Sequence, residues 1–161
     1  MSPLLLDALR WLHVIGACVL LGTGAGIAFF FVMANRSGDA RLIAHVAGTV
    51  VLADLLFTAT AVVAQPVTGL ALAHGIGWPL SEGWIALSLA LYVATGVFWL
   101  PVVWIQMRLR DMAATAAAAG EPLPARYHTL YAIWLACGFP AFLSVLAIVW
   151  LMTTRPHFTL L

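Results

Sequence analysis

Long stretches without a charged side chain run through this sequence of 161 residues. The uncharged stretches cover residues 11–35, 42–53, 55–81, 83–107 and 127–154. A membrane-spanning helix needs about 20 apolar residues, so the first, fourth and fifth stretches are each long enough for one helix. The second and third are separated only by Asp54 and are together too short for two helices and a turn. The pattern therefore predicts four spanning helices.

Composition also argues against a protein that folds in water. Hydrophobic residues make up 64% of the chain and charged residues 8%, whereas a soluble domain carries roughly 25% charge. Such a chain cannot cover its surface with polar groups, which excludes a soluble enzyme and a disordered tail. The net charge is +1 and there is no lysine, so no basic surface for nucleic acid is expected. We predict an all-α protein, with residues 1–161 forming a single membrane domain in a lipid bilayer.

The four predicted helices cover residues 5–34, 43–73, 84–111 and 127–153 and form a bundle. The segment 112–126 is rich in alanine, which favours a helical extension of the third helix. Gly120 is a residue type that commonly ends a helix, and Pro122 prevents its continuation. We expect this extension to serve only as a connection.

The arginines indicate how the bundle is oriented. Five of the seven flank two linkers, and they are Arg36, Arg41, Arg108, Arg110 and Arg126. Loops rich in arginine stay on the cytoplasmic side, so we expect both linkers in the cytoplasm and both termini on the outer, periplasmic side. The sequence thus predicts a multi-pass protein of the bacterial inner membrane.

Polar residues inside the predicted spans are candidates for function, because polar groups are costly in lipid. At 1.5 Å per residue, His13 lies roughly 12 Å from the outer end of the first helix. Gln65, Thr68, Tyr92 and Ser144 reach a similar depth on the other helices. We expect His13, Gln65, Tyr92 and Ser144 to line one polar pocket in the outer half. His13 is either a hydrogen-bonding contact between helices or an axial haem ligand.

Asp54 lies deep in the second helix, near the middle of the membrane. Thr23, Trp99 and Gly138 fall at the same depth. An aspartate at this level is expected to face the inside of the bundle. Two interpretations remain open, namely a hydrogen-bonding contact that holds helices together and a proton relay or substrate contact.

Two further histidines, His45 and His128, lie at the predicted cytoplasmic starts of the second and fourth helices and share a depth. This allows a bis-histidine haem site there, and the alternative is two interfacial side chains in contact with water and headgroups. Gly22 and Gly26 are four residues apart on the first helix. They indicate either close helix packing or room for a flat cofactor against the backbone.

The remaining histidines, His74 and His157, fall in outer segments, where we expect them to contact water. Their spacing from His13 matches no specific metal site, and no metal ligand set is predicted. The two cysteines, Cys18 and Cys137, lie in apolar stretches without metal-binding spacing and are expected to be buried small hydrophobes.

Several segments resemble a bacterial family of predicted integral membrane proteins, catalogued as domain of unknown function 2269. They are WLHVIGA at 11–17, LGTGAGIAFF at 21–30, QPVTG at 65–69, WLPVVWIQMRLRDM at 99–112 and GFPAFLSVLAIVWLM at 138–152. The resemblance covers nearly the whole chain. It implies a four-helix fold and brings no assigned activity.

A more distant resemblance connects the chain to HemJ-type protoporphyrinogen oxidases and to CopD-like copper-resistance membrane proteins. It is carried by Leu12-His13, the 66–69 turn, Trp84 and Arg155-Pro156. In HemJ-type proteins the helix-one histidine is associated with haem b, so the resemblance implies a haem pocket near His13.

Other HemJ-type motifs are replaced in this chain, and the porphyrinogen-oxidising activity is therefore not carried over. The stretch after His13 reads GTGAGIAFFFVMANR in place of a Trp and a Leu-Pro-Arg. Phe98-Trp99 stands where that family has Tyr-His, and CGFP at 137–140 stands where it has Asn-Glu-x-Pro.

These observations lead to a hypothesis with two rivals. The hypothesis is a membrane protein that binds haem b through His13, with Gln65 or Tyr92 near the second haem face and Asp54 as proton relay, in electron transfer or haem handling. The rivals are a small metal or solute transporter and a non-catalytic assembly subunit of a membrane complex. Whether the protein is an enzyme is left open. Homo-oligomers or a larger complex are the expected protein partners.

Overall fold

The computed structural model describes residues 1–156, and His157 lies outside them. Four helices account for almost all of the described chain, and they are α1 (Pro3–Arg36), α2 (Ala40–Ile76), α3 (Gly83–Ala119) and α4 (Ala125–Thr154). Each is long and apolar enough to cross a membrane. Residues 1–156 contain no strand. The predicted all-α fold with four membrane-spanning helices is confirmed.

The helices begin and end where local chemistry favours it. The Ser2 side chain accepts a hydrogen bond from the backbone N–H of Leu5 at the start of α1, and Asp39 accepts one from Arg41 N–H at the start of α2, as N-cap residues do. Gly77 and Gly120 follow α2 and α3 in the left-handed conformation, with φ of 89° and 68°. Glycine adopts this conformation without steric cost, and the alanine-rich segment before Gly120 is helical to Ala119.

One segment of α2 departs from α-helical geometry. Residues Asp54–Thr58 form a π-helical turn between the α-helical parts Ala40–Ala53 and Ala59–Ile76. The backbone N–H of Ala59 bonds the carbonyl of Asp54, whereas in an α-helix it would bond that of Leu55. Turns of this kind are rare and frequently occur at functional sites.

The main apolar core lies toward one end of the bundle. We call this end the arginine end, because it carries the linkers 37–39 and 120–124 beside the arginines. The opposite end, with the N-terminus and the loop 77–82, is called the His13 end. Buried residues of all four helices form the core, including Phe31, Ile43, Ala47, Leu109, Tyr127 and Trp134. Tyr127 donates a hydrogen bond of 2.7 Å from its hydroxyl to Asn35 Oδ1, which ties α4 to α1.

Toward the His13 end the bundle consists of two helix pairs. The part of α2 within 59–76 packs mainly on α1, while α3 packs mainly on α4 and on the 40–53 part of α2. A small separate apolar cluster joins Trp84 and Ile85 of α3 to Leu151 of α4. The two pairs therefore have few contacts with each other in the half that contains His13.

The spacing of Gly22 and Gly26 on α1 indicates close helix packing, but the structure has close approaches at other glycines. A Cβ atom added at Gly22 or Gly26 would meet nothing within 4 Å. Close helix packing at these two positions is therefore absent within the described chain. The close approaches occur instead at Gly16 of α1, beside Gln65, and at Gly69 of α2, beside His13.

Candidate functional site

His13 on α1 is held by a hydroxyl group on α2. Its Nδ1 lies 2.9 Å from Thr68 Oγ1. The same hydroxyl lies 2.7 Å from the carbonyl oxygen of Ala64, and it has a single proton. Because a carbonyl can only accept, Thr68 donates to Ala64 and accepts from His13. The imidazole therefore carries its proton on Nδ1, and its Nε2 accepts no hydrogen bond from residues 1–156.

Gln65 fixes the backbone beside the same histidine. Its side-chain amide donates a hydrogen bond of 2.8 Å from Nε2 to the carbonyl of His13. This contact needs Gly16, because a Cβ atom there would collide with Gln65 Nε2. The imidazole in turn needs Gly69, since a Cβ atom at that position would lie 3.0 Å from His13 Cε1. Small residues on both helices thus let the two polar side chains fit.

Tyr92 links the two helix pairs at this end. Its hydroxyl on α3 donates to the carbonyl of Val62, close to Gln65 along α2. Ser144 makes no hydrogen bond to these side chains within residues 1–156, and its hydroxyl donates to the Pro140 carbonyl of its own helix at 2.8 Å. The structure therefore brings His13 and Gln65 into direct contact and places Tyr92 nearby, whereas the membership of Ser144 stays a prediction.

Asp54 is buried in the π-helical turn, with 4% of its surface exposed. Trp99 of α3 donates a hydrogen bond of 3.4 Å from Nε1 to Asp54 Oδ1, as their common predicted depth suggests. Thr58, one turn along α2, is also buried, and its Oγ1 has no hydrogen-bond partner in residues 1–156. The carboxyl group and the free hydroxyl are on the side of α2 that faces the other helices.

His45 and His128 lie at exposed positions near the arginine end. His128 lines a cavity of about 300 Å³ with Asn35 and Tyr131, whereas His45 is absent from its lining. His74 is exposed at the His13 end. Cys18 is exposed and Cys137 half-buried, so neither is fully buried. Within residues 1–156, no three His, Cys, Asp or Glu side chains are grouped so as to hold a metal ion.

Two polar features of the interior had no clear signal in the sequence. One is the free hydroxyl of Thr58, which depends on the π-helical turn. The other is Gln106, whose Oε1 accepts a hydrogen bond of 3.1 Å from Trp134 Nε1, while its Nε2 is buried without a partner in the described chain. The nearest available clue was that Gln106 is a polar residue inside an apolar stretch.

The chain matches the family described as predicted integral membrane protein (DUF2269) over residues 7–156. The chain belongs to this family. A search of curated proteins and one of solved structures gave no match. The family match and the four apolar helices together make this DUF2269 member an integral, multi-pass membrane protein in contact with the lipid bilayer.

Proposed function

We propose that this protein binds haem b with His13 as an axial ligand and takes part in electron transfer or haem handling. The observation that carries the proposal is the hydrogen bond between His13 Nδ1 and Thr68 Oγ1. Histidines that bind metals almost always donate their other ring N–H to a fixed acceptor, which sets the tautomer and the ring orientation. Thr68 supplies that acceptor, and no hydrogen bond to residues 1–156 occupies Nε2.

The sparse packing around His13 supports an apolar, flat ligand as the bound group. The two helix pairs make few contacts with each other in this half of the bundle, so a planar molecule can enter between them from the lipid. When bound, haem supplies a centre that accepts and releases single electrons. Gln65 holds the His13 backbone and Tyr92 holds the two pairs together, so both act as positioning residues.

The membrane orientation is part of the proposal. The arginine end contains the linkers flanked by five arginines, and the positive-inside rule supports a cytoplasmic position for this end. His13 would then lie in the periplasmic half of a bacterial inner membrane, with both termini outside. His45 and His128, which are at the arginine end, remain candidates for a second haem site.

An optical spectrum tests the proposal. The full chain, expressed with ample haem and purified in detergent, should show a Soret band that His13→Ala removes or shifts. His74→Ala is the matched control, because this histidine is exposed at the same end of the bundle and its loss should leave the band unchanged. External imidazole should restore a band in His13→Gly. A protein without a Soret band would favour the transporter or assembly-subunit alternatives.

A further inference from the structure

Asp54 is a carboxyl group that forms no ion pair within residues 1–156. The ion pairs within residues 1–156 are Asp7 with Arg10 and Arg110 with Asp111, all at exposed positions. The facing parts of α1 (19–35) and α3 (93–107) contain no ionisable residue, and the facing part of α4 (129–150) contributes only Tyr131 and Cys137. A carboxylate buried in a membrane without a counter-charge is costly. The simplest way to neutralise it is a bound proton.

The neighbours of Asp54 suit a proton better than a metal ion. The Trp99 N–H points at Asp54 Oδ1, and an N–H donor stabilises a carboxyl oxygen but cannot coordinate a cation. Thr58 is 7% exposed and its hydroxyl has no partner in the described chain. A buried hydroxyl of this kind usually bonds to water, and water beside a carboxyl group can carry its proton.

The Thr58 hydroxyl is free because it does not make the usual bond of a helical threonine. Thr60 and Thr68 donate to the carbonyls four residues earlier, at 2.7 Å in both cases. For Thr58, the carbonyl four residues earlier is that of Asp54. In the π-helical turn this carbonyl accepts a hydrogen bond from the N–H of Ala59. The hydroxyl is thereby left without a backbone partner in residues 1–156, and it lies beside the Asp54 carboxyl group one turn earlier.

A polar stripe connects Asp54 with the His13 end. Asp54, Thr58, Gln65 and Thr68 are separated by four, seven and three residues, which keeps them on one face of α2. All four are buried or half-buried, and Tyr92 adds its hydroxyl between Thr58 and Gln65. At 1.5 Å per residue the stripe is about 21 Å long. It lies in the half where the helix pairs have few mutual contacts.

Toward the arginine end the same face of α2 is apolar. Ile43, Ala47 and Val50 are buried there and belong to the core that also contains Phe31 and Leu109. The buried polar pair on this side is Gln106 with Trp134, which joins α3 to α4 rather than continuing the stripe of α2.

We propose that Asp54 is a proton-binding site that exchanges its proton with the His13 end through Thr58 and the polar stripe, and not with the arginine end. The inference does not depend on haem at His13. It would apply equally to a protein that carries no cofactor. It gives the bundle a half-channel for protons that ends in the middle of the membrane.

Carbodiimide labelling in vesicles tests this proposal. A lipophilic carbodiimide reacts with a protonated carboxyl group in an apolar site, and peptide mass spectrometry locates the adduct. Sidedness is measured with an impermeant thiol reagent on Ser81→Cys or Ser37→Cys, made in a chain with Cys18→Ala and Cys137→Ala. Ser81 and Ser37 are exposed at opposite ends of the bundle. The pH is then raised on one side at a time while the labelling rate is recorded.

We expect the adduct on Asp54 and not on the exposed Asp7. Raising the pH on the side of Ser81 should lower the labelling rate several-fold, and raising it on the side of Ser37 should not. Thr58→Val should slow this response, whereas Thr60→Val, at an exposed and back-bonded position, should leave it unchanged. Circular dichroism and gel filtration identify any variant that fails to fold, and Gln65→Leu then replaces Thr58→Val.

Three results would overturn the proposal. One is a folded protein in which Asp54 is never labelled. Another is a labelling rate that follows the pH on the side of Ser37, particularly if Gln106→Leu abolishes that response. The third is an equal effect of Thr58→Val and Thr60→Val. A missing Soret band would leave all of these measurements intact, so the two proposals can fail separately.

Discussion

The Gln65 amide occupies the space that a side chain at Gly16 would fill, and from there it bonds the carbonyl of His13. This contact determines how closely α1 and α2 approach each other at the His13 end. It also explains why a glycine is needed at this position of α1, and it leads to a prediction that separates Gly16 from the other glycines of the helix.

Gly16→Ala should be less stable than Gly22→Ala. The added methyl group displaces the flexible end of Gln65 and breaks its hydrogen bond to the His13 carbonyl, which costs about 0.5–1.5 kcal/mol. Gly22→Ala is the control, because a Cβ atom there meets nothing within 4 Å, and alanine gains up to about 1 kcal/mol of helix propensity. Thermal unfolding in detergent measures both. Equal melting temperatures for the two variants would contradict the Gln65 contact.

Thr68→Val should release the imidazole of His13. Valine keeps the shape of threonine but offers no acceptor to Nδ1, and a buried donor left without a partner costs about 1–3 kcal/mol. Nitrogen NMR of labelled histidine reports the tautomer directly. The Nδ1–H form should dominate in the wild-type protein and lose its dominance in the variant, with Thr60→Val as the control. A wild-type protein in the Nε2–H form would refute the assignment.

Trp99→Phe should weaken the contact between α2 and α3. The hydrogen bond to Asp54 is long, at 3.4 Å, so we expect a loss at the lower end of the usual range of about 0.5–1.5 kcal/mol. A double-mutant cycle with Asp54→Leu, which removes the acceptor oxygen, isolates the pair. Trp104→Phe serves as the control, because Trp104 is exposed and stacks with Arg108 at 5.4 Å. A coupling energy of zero would mean that Trp99 and Asp54 do not interact.

The effects of substituting Gln106 and Trp134 on the free energy of unfolding should be strongly non-additive. Gln106→Leu leaves the buried Trp134 N–H without an acceptor, which costs about 1–3 kcal/mol. The double change Gln106→Leu with Trp134→Phe removes both polar groups, including the Gln106 Nε2 that has no partner in residues 1–156. Its cost should therefore be smaller than the sum of the costs of the two single changes. Unfolding by denaturant in mixed micelles measures the four proteins of the cycle, and simple additivity would exclude the pairing.

The depth of each site residue in the membrane could be predicted from the sequence, but the direction in which its side chain points could not. The fixed rise per residue placed Gln65 at the level of His13 and Trp99 at the level of Asp54, and both pairs are in hydrogen-bond contact. The same arithmetic also placed Ser144 in the pocket, yet within residues 1–156 it makes no hydrogen bond to His13, Gln65 or Tyr92. Which way a side chain points depends on how each helix is rotated in the bundle, and depth contains no information on this.

The π-helical turn at Asp54–Thr58 shows a second limit. Apart from Asp54, its residues are of the same types as their surroundings, and none of them indicates an extra residue in the turn. Asp54 is predicted as a candidate because a charged group in an apolar span is costly. Thr58 is missed because α2 contains three other threonines and nothing in the sequence distinguishes this one.

The sequence by itself determined that this protein is a bundle of four membrane-spanning helices, because the length of an uncharged apolar stretch is enough to specify a helix in lipid. It also determined which polar residues lie within the helices. Only the tertiary structure decided that Thr68 accepts from His13, that Gln65 fills the space beside Gly16, and that Thr58 has a hydroxyl free of partners in residues 1–156. These relations depend on the rotation and spacing of packed helices, which follow from the contacts of the whole bundle and not from any one segment.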